Sequence, residues 1–524
     1  MAASVLVVGG GTAGWMTAGY LKAAFGDRVA VTVVESATVG AIGVGEATFS
    51  TIRHFFGYLG IAESEWMPAC NATYKLAIRF RNWQSPGHDF YHPFERLSVI
   101  DGFTLADWSL SLGGTGRFDR DIFLMSALCD AKRSPRHLDG SLFVEGPSYH
   151  EAKSYSGTSL SDEETQFPYA YHFDASLLAE FLADHSTRRG VRRIVDHIVS
   201  VGRDDKGWIS HVTARDHGEL TADLYVDCTG FRGLLINGAL EEPFVSFQDS
   251  LPNDSAVALR VPVDVGAVGI PPYTTATAVD AGWVWTIPLY DRIGTGYVYA
   301  SDYCTPDSAE ELLREFVGPS AADLPANHIR MRIGRNRNSW VNNCVAIGLS
   351  SGFVEPLEST GIFLIHHGVE QLVKHWPDEH WDDRLRMSYN SQVARCLDGV
   401  RDFLVFHYYG AARADNEYWR DAKRRPLPDG VAERVEQWRT KLPDAENTYP
   451  YYHGFEPYSH TCMLLGLGGI DTTPRPALQL IDDAAARKAI DSIKNRARDL
   501  VRSLPSHVEY LVENHRPARG ASGG

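Results

Sequence analysis

Cysteine chemistry has little to build on in this chain. Its 524 residues hold seven cysteines, an odd number, with no Cys-x-x-Cys pair and no zinc-ligand spacing. A disulfide framework is thereby excluded, no metal is expected, and the thiols are read as reduced, in a cytoplasm. Long apolar runs are missing as well: none reaches membrane-spanning length. The apolar start is too short, too glycine-rich and too poor in basic residues to read as a secretory signal. Positive charge is also scarce. A formal net charge of −16 argues against nucleic acid or an anionic membrane as partner. There are no internal repeats. What is present is a globular composition, 44% hydrophobic and 22% charged, with length for a large core and more than one module.

The N-terminal stretch organises the rest. Val5, Leu6, Val7 and Val8 form an apolar β-branched run that meets Gly9-Gly10-Gly11-Thr12-Ala13-Gly14. A helical pattern then stops at Gly26, and a second apolar strand ends at Glu35. Gly9, Gly11 and Gly14 occupy the G-x-G-x-x-G positions, with the acid about twenty residues on, as a dinucleotide fingerprint requires. Glycines let the backbone approach a pyrophosphate, the helix N-terminus offers it free N–H groups, and Glu35 can accept from a ribose hydroxyl.

A glycine-rich loop (Gly40, Gly43, Gly45) follows and leads to a helix at about Ser50. Beside a nucleotide site such a loop is usually functional. Next, NATYKLAIRFRNW alternates, with Leu76, Ile78 and Phe80 on one face and Lys75, Ala77, Arg79 and Arg81 on the other. That reads as one half-buried strand, and alternation alone puts Lys75 in solvent. Residues 82–170 are rich in aromatics, including Tyr91-His92-Pro93-Phe94, rings that suit a flat aromatic ligand. A helix is expected over 174–190, then an antiparallel meander. A strand at 224–226 returns the chain to the nucleotide module, and residues 240–340 are again β-rich.

A buried strand at 344–349 enters Ser350-Ser351-Gly352-Phe353-Val354-Glu355-Pro356-Leu357-Glu358-Ser359-Thr360-Gly361. The helix beyond it carries Ile362, Ile365, Val369, Leu372 and Val373 on one face and stops before Pro377. Ser359 or Thr360 is expected to cap that helix, whose first turn offers an anion site bordered by Glu358. Amphipathic helices are expected over 395–409 and 488–504, and the tail after residue 515 reads as disordered.

Four motifs together resemble the flavin-dependent tryptophan halogenases: Gly9-Gly10-Gly11-Thr12-Ala13-Gly14-Trp15, Lys75 in TYKLAIRF, Gly282-Trp283-Val284-Trp285-Thr286-Ile287-Pro288, and Phe353 to Gly361. The likeness runs over nearly the whole chain and is nearest the tryptophan 6-halogenases, then the 5-halogenases. It implies an α/β fold in which an FAD-binding, Rossmann-like domain of the glutathione-reductase type is interwoven with a β-rich segment and a mainly helical substrate module. The FAD-binding module is expected over 1–80, 172–240 and 335–376, and the tryptophan-binding module over 81–171, 241–334 and 377–515.

In that family FADH2 and O2 give a flavin hydroperoxide, and chloride (or bromide) attacks it to yield hypochlorous acid. The acid then travels through a tunnel to tryptophan. The resemblance makes Lys75 the residue that holds the electrophilic chlorine. Glu358 would activate the oxidant or accept the ring proton. Thr360 and Gly361 would bind chloride. Gly9, Gly11, Thr12, Ala13, Gly14, Glu35, Ile42, Val44, Ala47, Ile198, Leu349 and Ile362 would contact FAD. Phe49, His92, Pro93 and Phe94 would sandwich the indole, with Ser50 where the two sites join. Gln166, Tyr451, Tyr452 and Glu456 would bind the amino-acid end. Some family members carry the ammonium-binding glutamate where this chain has Tyr458.

With no second nucleotide fingerprint in the chain, FADH2 is expected from a separate flavin reductase, and a homodimer is expected. Two rivals are a flavin-dependent aromatic monooxygenase and a non-catalytic flavoprotein. The first usually shows Gly-Asp where this chain has Gly348-Leu349; the second leaves Lys75 and the aromatic residues without a role.

Overall fold

The computed structural model describes residues 2–37, 45–100, 102–114, 117–143, 168–448 and 454–515, and its fold is mixed α/β. The first strand, β1 (Ser4–Val8), is buried from Val5 onward, as a strand covered on both faces must be. Gly9 leaves it at φ +111°, a conformation that favours glycine. Helix α1 (Thr12–Phe25) follows, ends at Gly26, and returns the chain to β2 (Ala30–Glu35), parallel to β1.

Next come β3 (Glu46–Ala47) and α2 (Ile52–Leu59), the helix expected from about Ser50. The alternating run expected as one strand is two. Strands β4 (Thr73–Lys75) and β5 (Ala77–Arg81) belong to different sheets. The chain changes sheet at Leu76, whose N–H donates to the Pro272 carbonyl (2.8 Å) and whose carbonyl accepts from the Phe94 N–H (3.0 Å). Alternation therefore fails across Leu76, and Lys75 is fully buried rather than solvent-facing. Strand β6 (Asp89–Pro93) pairs antiparallel with β5, setting His92 opposite Ile78.

Strand β7 (Ala170–Phe173) joins β3 and β4 into a small antiparallel sheet. Helix α3 (Ala175–Thr187) begins where the Asp174 carboxylate accepts from the Ser176 and Leu177 N–H groups. The expected meander is β9 (Ile198–Arg203), β10 (Ile209–Ala214) and β11 (Gly218–Leu220), preceded by β8 (Arg192–Val195). Strand β12 (Leu224–Asp227) then runs parallel beside β1.

A larger sheet follows: β13 (Ser255–Pro262), β14 (Tyr273–Val279), β15 (Gly282–Pro288), β16 (Arg292–Tyr299) and β17 (Asn327–Arg330). Its order is β17-β13-β16-β15-β14-β5-β6, so β14 runs parallel to β5 and ties this sheet to the lysine-bearing segment. Strands β18 (Trp340–Val341) and β19 (Cys344–Ala346) complete the first sheet, ordered β8-β2-β1-β12-β19-β18. Beyond it lie α4 (Gly361–Lys374), α5 (Asp383–Gly410), α6 (Pro457–Leu467) and α7 (Asp483–Ser503). The stretches expected as amphipathic helices are segments of α5 and α7. Among the described residues no helix is long and apolar enough to cross a membrane.

Strand β15 shows how tightly the larger sheet is packed. Trp285 lies across Gly296 on β16, where an added Cβ would sit 2.2 Å from its ring carbons. Gly296→Ala is expected to cost about 1–3 kcal/mol or more. The Cβ would also fall 2.6 Å from the Val257 carbonyl, so the ring and the neighbouring strand must both shift. Gly57→Ala, in α2 with open space around it, is expected to gain about 0.5–1 kcal/mol from helix propensity. Denaturant unfolding of both variants checks the pair of signs.

Candidate active site

Two strand ends and one tight turn bring a lysine and a glutamate together. Lys75 closes β4, and its Nζ donates to the Thr48 carbonyl (3.0 Å) and to Ser359 Oγ (2.8 Å). Thr48 is itself fixed, its hydroxyl donating to the Tyr171 carbonyl at 2.9 Å. The ammonium also lies 5.2 Å from the centre of the Phe94 ring. Burial pulls the Lys75 pKa down to about 7, against the opposing attraction of the Glu358 carboxylate.

The turn holding Glu358 is a 3-10 turn, Pro356–Glu358, closed by Ser359 at φ +61°. A serine there is in left-handed backbone, at a cost of order 1 kcal/mol, so the surroundings have to hold it. They do so through two buried carboxylates. Glu355 Oε2 accepts from Asn253 Nδ2 (2.8 Å), Trp283 Nε1 (3.2 Å) and the Tyr408 hydroxyl. Burial pushes the Glu355 pKa up to about 7, its hydrogen bonds only partly offsetting that. Glu358 Oε1 lies 2.8 Å from His407 Nε2, and Oε2 lies 3.1 Å from His92 Nδ1. Burial alone would raise the Glu358 pKa, but the pull of the His92 and His407 imidazoles and their hydrogen bonds to the carboxylate outweigh it and hold the value down at about 2.

Aromatic rings crowd this pair. Phe49 lies 5.8 Å from Phe94, 5.5 Å from Phe363 and 5.5 Å from Phe455, between ring centres. Phe455 stacks on Phe403 at 3.8 Å, and His92 is 6.0 Å from Tyr458. Pro93 is buried at the end of β6. The Tyr458 hydroxyl donates to the Phe94 carbonyl at 3.4 Å. Glu456, the residue immediately before α6, pairs its part-exposed carboxylate with Arg96. Ser50 is half-buried in the turn before α2, its carbonyl accepting from the Arg53 N–H at 3.3 Å.

Immediately after Ser359 the chain enters α4. Neither Ser359 nor Thr360 caps it with its side chain, contrary to expectation. Ser359 Oγ accepts from Lys75 Nζ, and Thr360, at the cap position, makes no side-chain cap. A Cβ at Gly361 would meet nothing within 4 Å.

The glycine turn lies at the head of the parallel sheet. A Cβ at Gly14 would fall 1.8 Å from the Gly9 carbonyl, and one at Gly10 would fall 1.6 Å from the Glu35 carboxylate. Gly11, at the head of α1, has open space where a Cβ would be. Glu35 accepts from Trp15 Nε1 (3.1 Å) and pairs with Arg193. Thr12 donates to the Ala175 carbonyl at 3.3 Å. A Cβ at Gly348 (φ +78°) would meet Ala13 at 2.9 Å, so the turn carrying Leu349 packs on the start of α1. Ile362 is buried on α4, Ala47 is buried on β3, and Ile198 packs against the cluster of Leu6, Val8 and Val34. Ile42, Val44, Gln166, Tyr451 and Tyr452 lie outside the described residues.

Comparison with known proteins bears directly on this geometry. The family model described as tryptophan halogenase matches residues 4–483. The chain belongs to the tryptophan halogenase family. It is 64% identical over 510 residues to the tryptophan 6-halogenase SttH of Streptomyces toxytricini, covering 97% of each chain. It is 61% identical over 514 residues to the 7-chloro-L-tryptophan 6-halogenase KtzR of Kutzneria sp. (strain 744), covering 97% of this chain and 99% of that one. The solved structure of Tar14, a tryptophan C-6 flavin-dependent halogenase (chlorinase) from taromycin biosynthesis, superposes with a TM-score of 0.92 at 61% identity. That match covers 97% of this chain and 99% of Tar14.

A flavin-dependent halogenase needs a dinucleotide cradle, and the open face of Gly11 between Gly9 and Glu35 fits one. The structure also adds residues that sequence reading passed over: Thr48, Asn253, Phe363, Phe403, His407, Tyr408 and Phe455. Ser359 was within reach, since it lies in the Pro-Leu-Glu-Ser-Thr-Gly run, but as a cap. His407 carries no signal of its own in an amphipathic helix pattern.

Because Lys75 is buried with a pKa of about 7, its ε-signals in lysine-labelled NMR are expected to titrate near neutrality. An ordinary surface lysine titrates near 10.4. Titration of every lysine signal above pH 10 overturns the assignment.

Proposed function

We propose that the chain is a tryptophan halogenase that chlorinates the indole at C6, with Lys75 as chlorine carrier and Glu358 as proton acceptor. The observation that carries this reading is the fully buried Lys75 amine, held on Ser359 next to Glu358 and beside the rings of Phe49 and Phe94. Thr360 and Gly361 would bind chloride at the uncapped start of α4. Residues 1–80, 172–240 and 335–376 would form the FAD module, of the glutathione-reductase type, and residues 81–171, 241–334 and 377–515 the tryptophan module. Gly9, Gly11, Thr12, Ala13, Gly14, Glu35, Ala47, Ile198, Leu349 and Ile362 would hold FAD. When bound, the reduced flavin with O2 and chloride supplies hypochlorous acid. A separate reductase would supply FADH2, and the cytoplasmic, homodimeric state expected above belongs to this reading.

The roles of the residues follow from their environments. A neutral amine attacks the chlorine of hypochlorous acid: an N–Cl bond forms, O–Cl breaks, and water leaves. A pKa near 7 makes that amine available at neutral pH, where an exposed lysine would be protonated. Chlorine then passes to the ring carbon: the C–Cl bond forms as N–Cl breaks, and the Lys75 nitrogen takes up a proton to become the free amine again. Glu358 takes the proton lost from the ring carbon, which balances the one supplied to nitrogen. The net change is hypochlorous acid plus arene to chloroarene plus water. Benzo-ring carbons are less reactive than C2 or C3 of indole, so regiochemistry must come from placement among the rings. Phe49, His92, Pro93 and Phe94 would supply it, with Glu456 toward the amino-acid end and Ser50 where the flavin and tryptophan sites would join.

The acceptor named for KtzR, 7-chloro-L-tryptophan, defines a second substrate to test. NMR of the product formed with a flavin reductase, chloride and either tryptophan or 7-chlorotryptophan is expected to show substitution at C6. Substitution elsewhere overturns the regiochemistry, and halide-independent hydroxylation overturns the reaction. Lys75→Ala is expected to abolish chlorinated product while flavin oxidation continues. Glu358→Gln is expected to lower the rate by about 10²-fold or more with tryptophan still bound. Unchanged turnover in either variant removes that residue from the mechanism.

A further inference from the structure

The contact between Glu358 and His407 fixes where a proton sits. His407 Nδ1 lies 2.7 Å from the Phe403 carbonyl, one turn earlier on α5. A carbonyl oxygen only accepts, so Nδ1 carries hydrogen. On the other side of the ring, Nε2 lies 2.8 Å from Glu358 Oε1, with both side chains fully buried. A bare Nε2 there would set its lone pair against those of a carboxylate. We propose that His407 is held as an imidazolium and serves as the positioning residue that keeps Glu358 ionised and aimed in the resting site. This rests on the reading of Glu358 as proton acceptor given above.

The surroundings favour His407 over the other groups that face the carboxylate. His92, from β6, offers Nδ1 to Glu358, but its Nε2 is buried with no hydrogen-bond partner among the described residues. A second proton on His92 would be unsolvated, whereas both nitrogens of His407 have acceptors. Lys75, from β4, reaches this turn through Ser359 and must be neutral to take chlorine. Cys462, from α6, feels Glu358 but has its thiol pushed well above the ordinary range, first by burial. The Tyr408 hydroxyl, next on α5, is committed to Glu355. Two rings stand within cation–π reach of the imidazole, Phe80 at 5.4 Å and Phe403 at 4.8 Å between centres.

The division of charge has a functional logic. An imidazolium–carboxylate pair is neutral overall, so Glu358 can be ionised in a dry site without Lys75 as its counter-ion. When Glu358 takes the ring proton, the imidazolium loses its partner. That favours departure of the proton and resets the acid for the next turnover.

Histidine-selective 15N NMR of the resting protein tests the proton count, with His407 assigned by the signal lost in His407→Gln or His407→Asn. Both ring nitrogens are expected to be protonated under the solution conditions of turnover, and a single protonated nitrogen overturns the proposal. This measurement needs no turnover, so its failure is separable from failure of the proposed reaction. In His407→Gln, kcat is expected to fall about tenfold or more, with the tryptophan KM within about twofold. Glu358 loses a neighbouring positive charge, so it titrates higher and the acidic limb of the kcat profile moves to higher pH. An acidic limb identical to that of the unsubstituted enzyme overturns the proposal, because a merely structural role would not place His407 in the titration.

Discussion

A carboxylate kept ionised without water is the constraint around which this protein is arranged. Glu358 has no solvent to stabilise its charge, and an unpaired buried ion costs several kcal/mol. Its two histidine partners arrive from distant places, His92 from the edge strand of the larger sheet and His407 from the long helix α5. The turn carrying Glu358 could not hold that acid in place alone, since it ends in a serine with left-handed backbone. Sheet, helix and turn therefore have to meet at one point, and much of the central packing serves that meeting.

The same turn links two sites. On one side of Ser359 are the acid and the lysine; on the other is the uncapped start of α4, two residues along. Ser359 gives its hydroxyl to Lys75, and Thr360, the residue at the helix start, makes no side-chain cap. Lys75 in turn reaches back to Thr48, which follows β3 directly. The start of α4 and the acid thus lie on one stretch of chain, and the amine is tied to it through Ser359.

Legibility in the sequence followed how local each signal is. The glycine turn, α1 and Glu35 could be read because spacing alone fixes them, and the Cβ positions at Gly10 and Gly14 show why the glycines are required. The helix over 361–374 and the meander after residue 198 were likewise visible as periodicity and turn chemistry. Lys75 defeated the pattern. Its alternation with Arg79 and Arg81 is genuine in sequence but is interrupted at Leu76, where the chain leaves one sheet for another. No local rule announces such a crossing, and the lysine's importance came from family likeness. His407 was silent for a different reason: its meaning depends on a carboxylate 49 residues earlier. The Trp-x-Trp element was recognisable as a motif, yet only the structure gives Trp283 its task, donating to Glu355.

Consecutive residues of α5, His407 and Tyr408, grip the two carboxylates of a single turn, and those carboxylates are themselves three residues apart. The helix therefore works like a key with two adjacent teeth. Slipping it by one position would misplace both acids together, so neither grip can drift, weaken or be re-engineered independently of the other. Insertions or deletions anywhere between residues 358 and 407 must be absorbed in the connection before α5 and cannot be taken up as a change of helical phase.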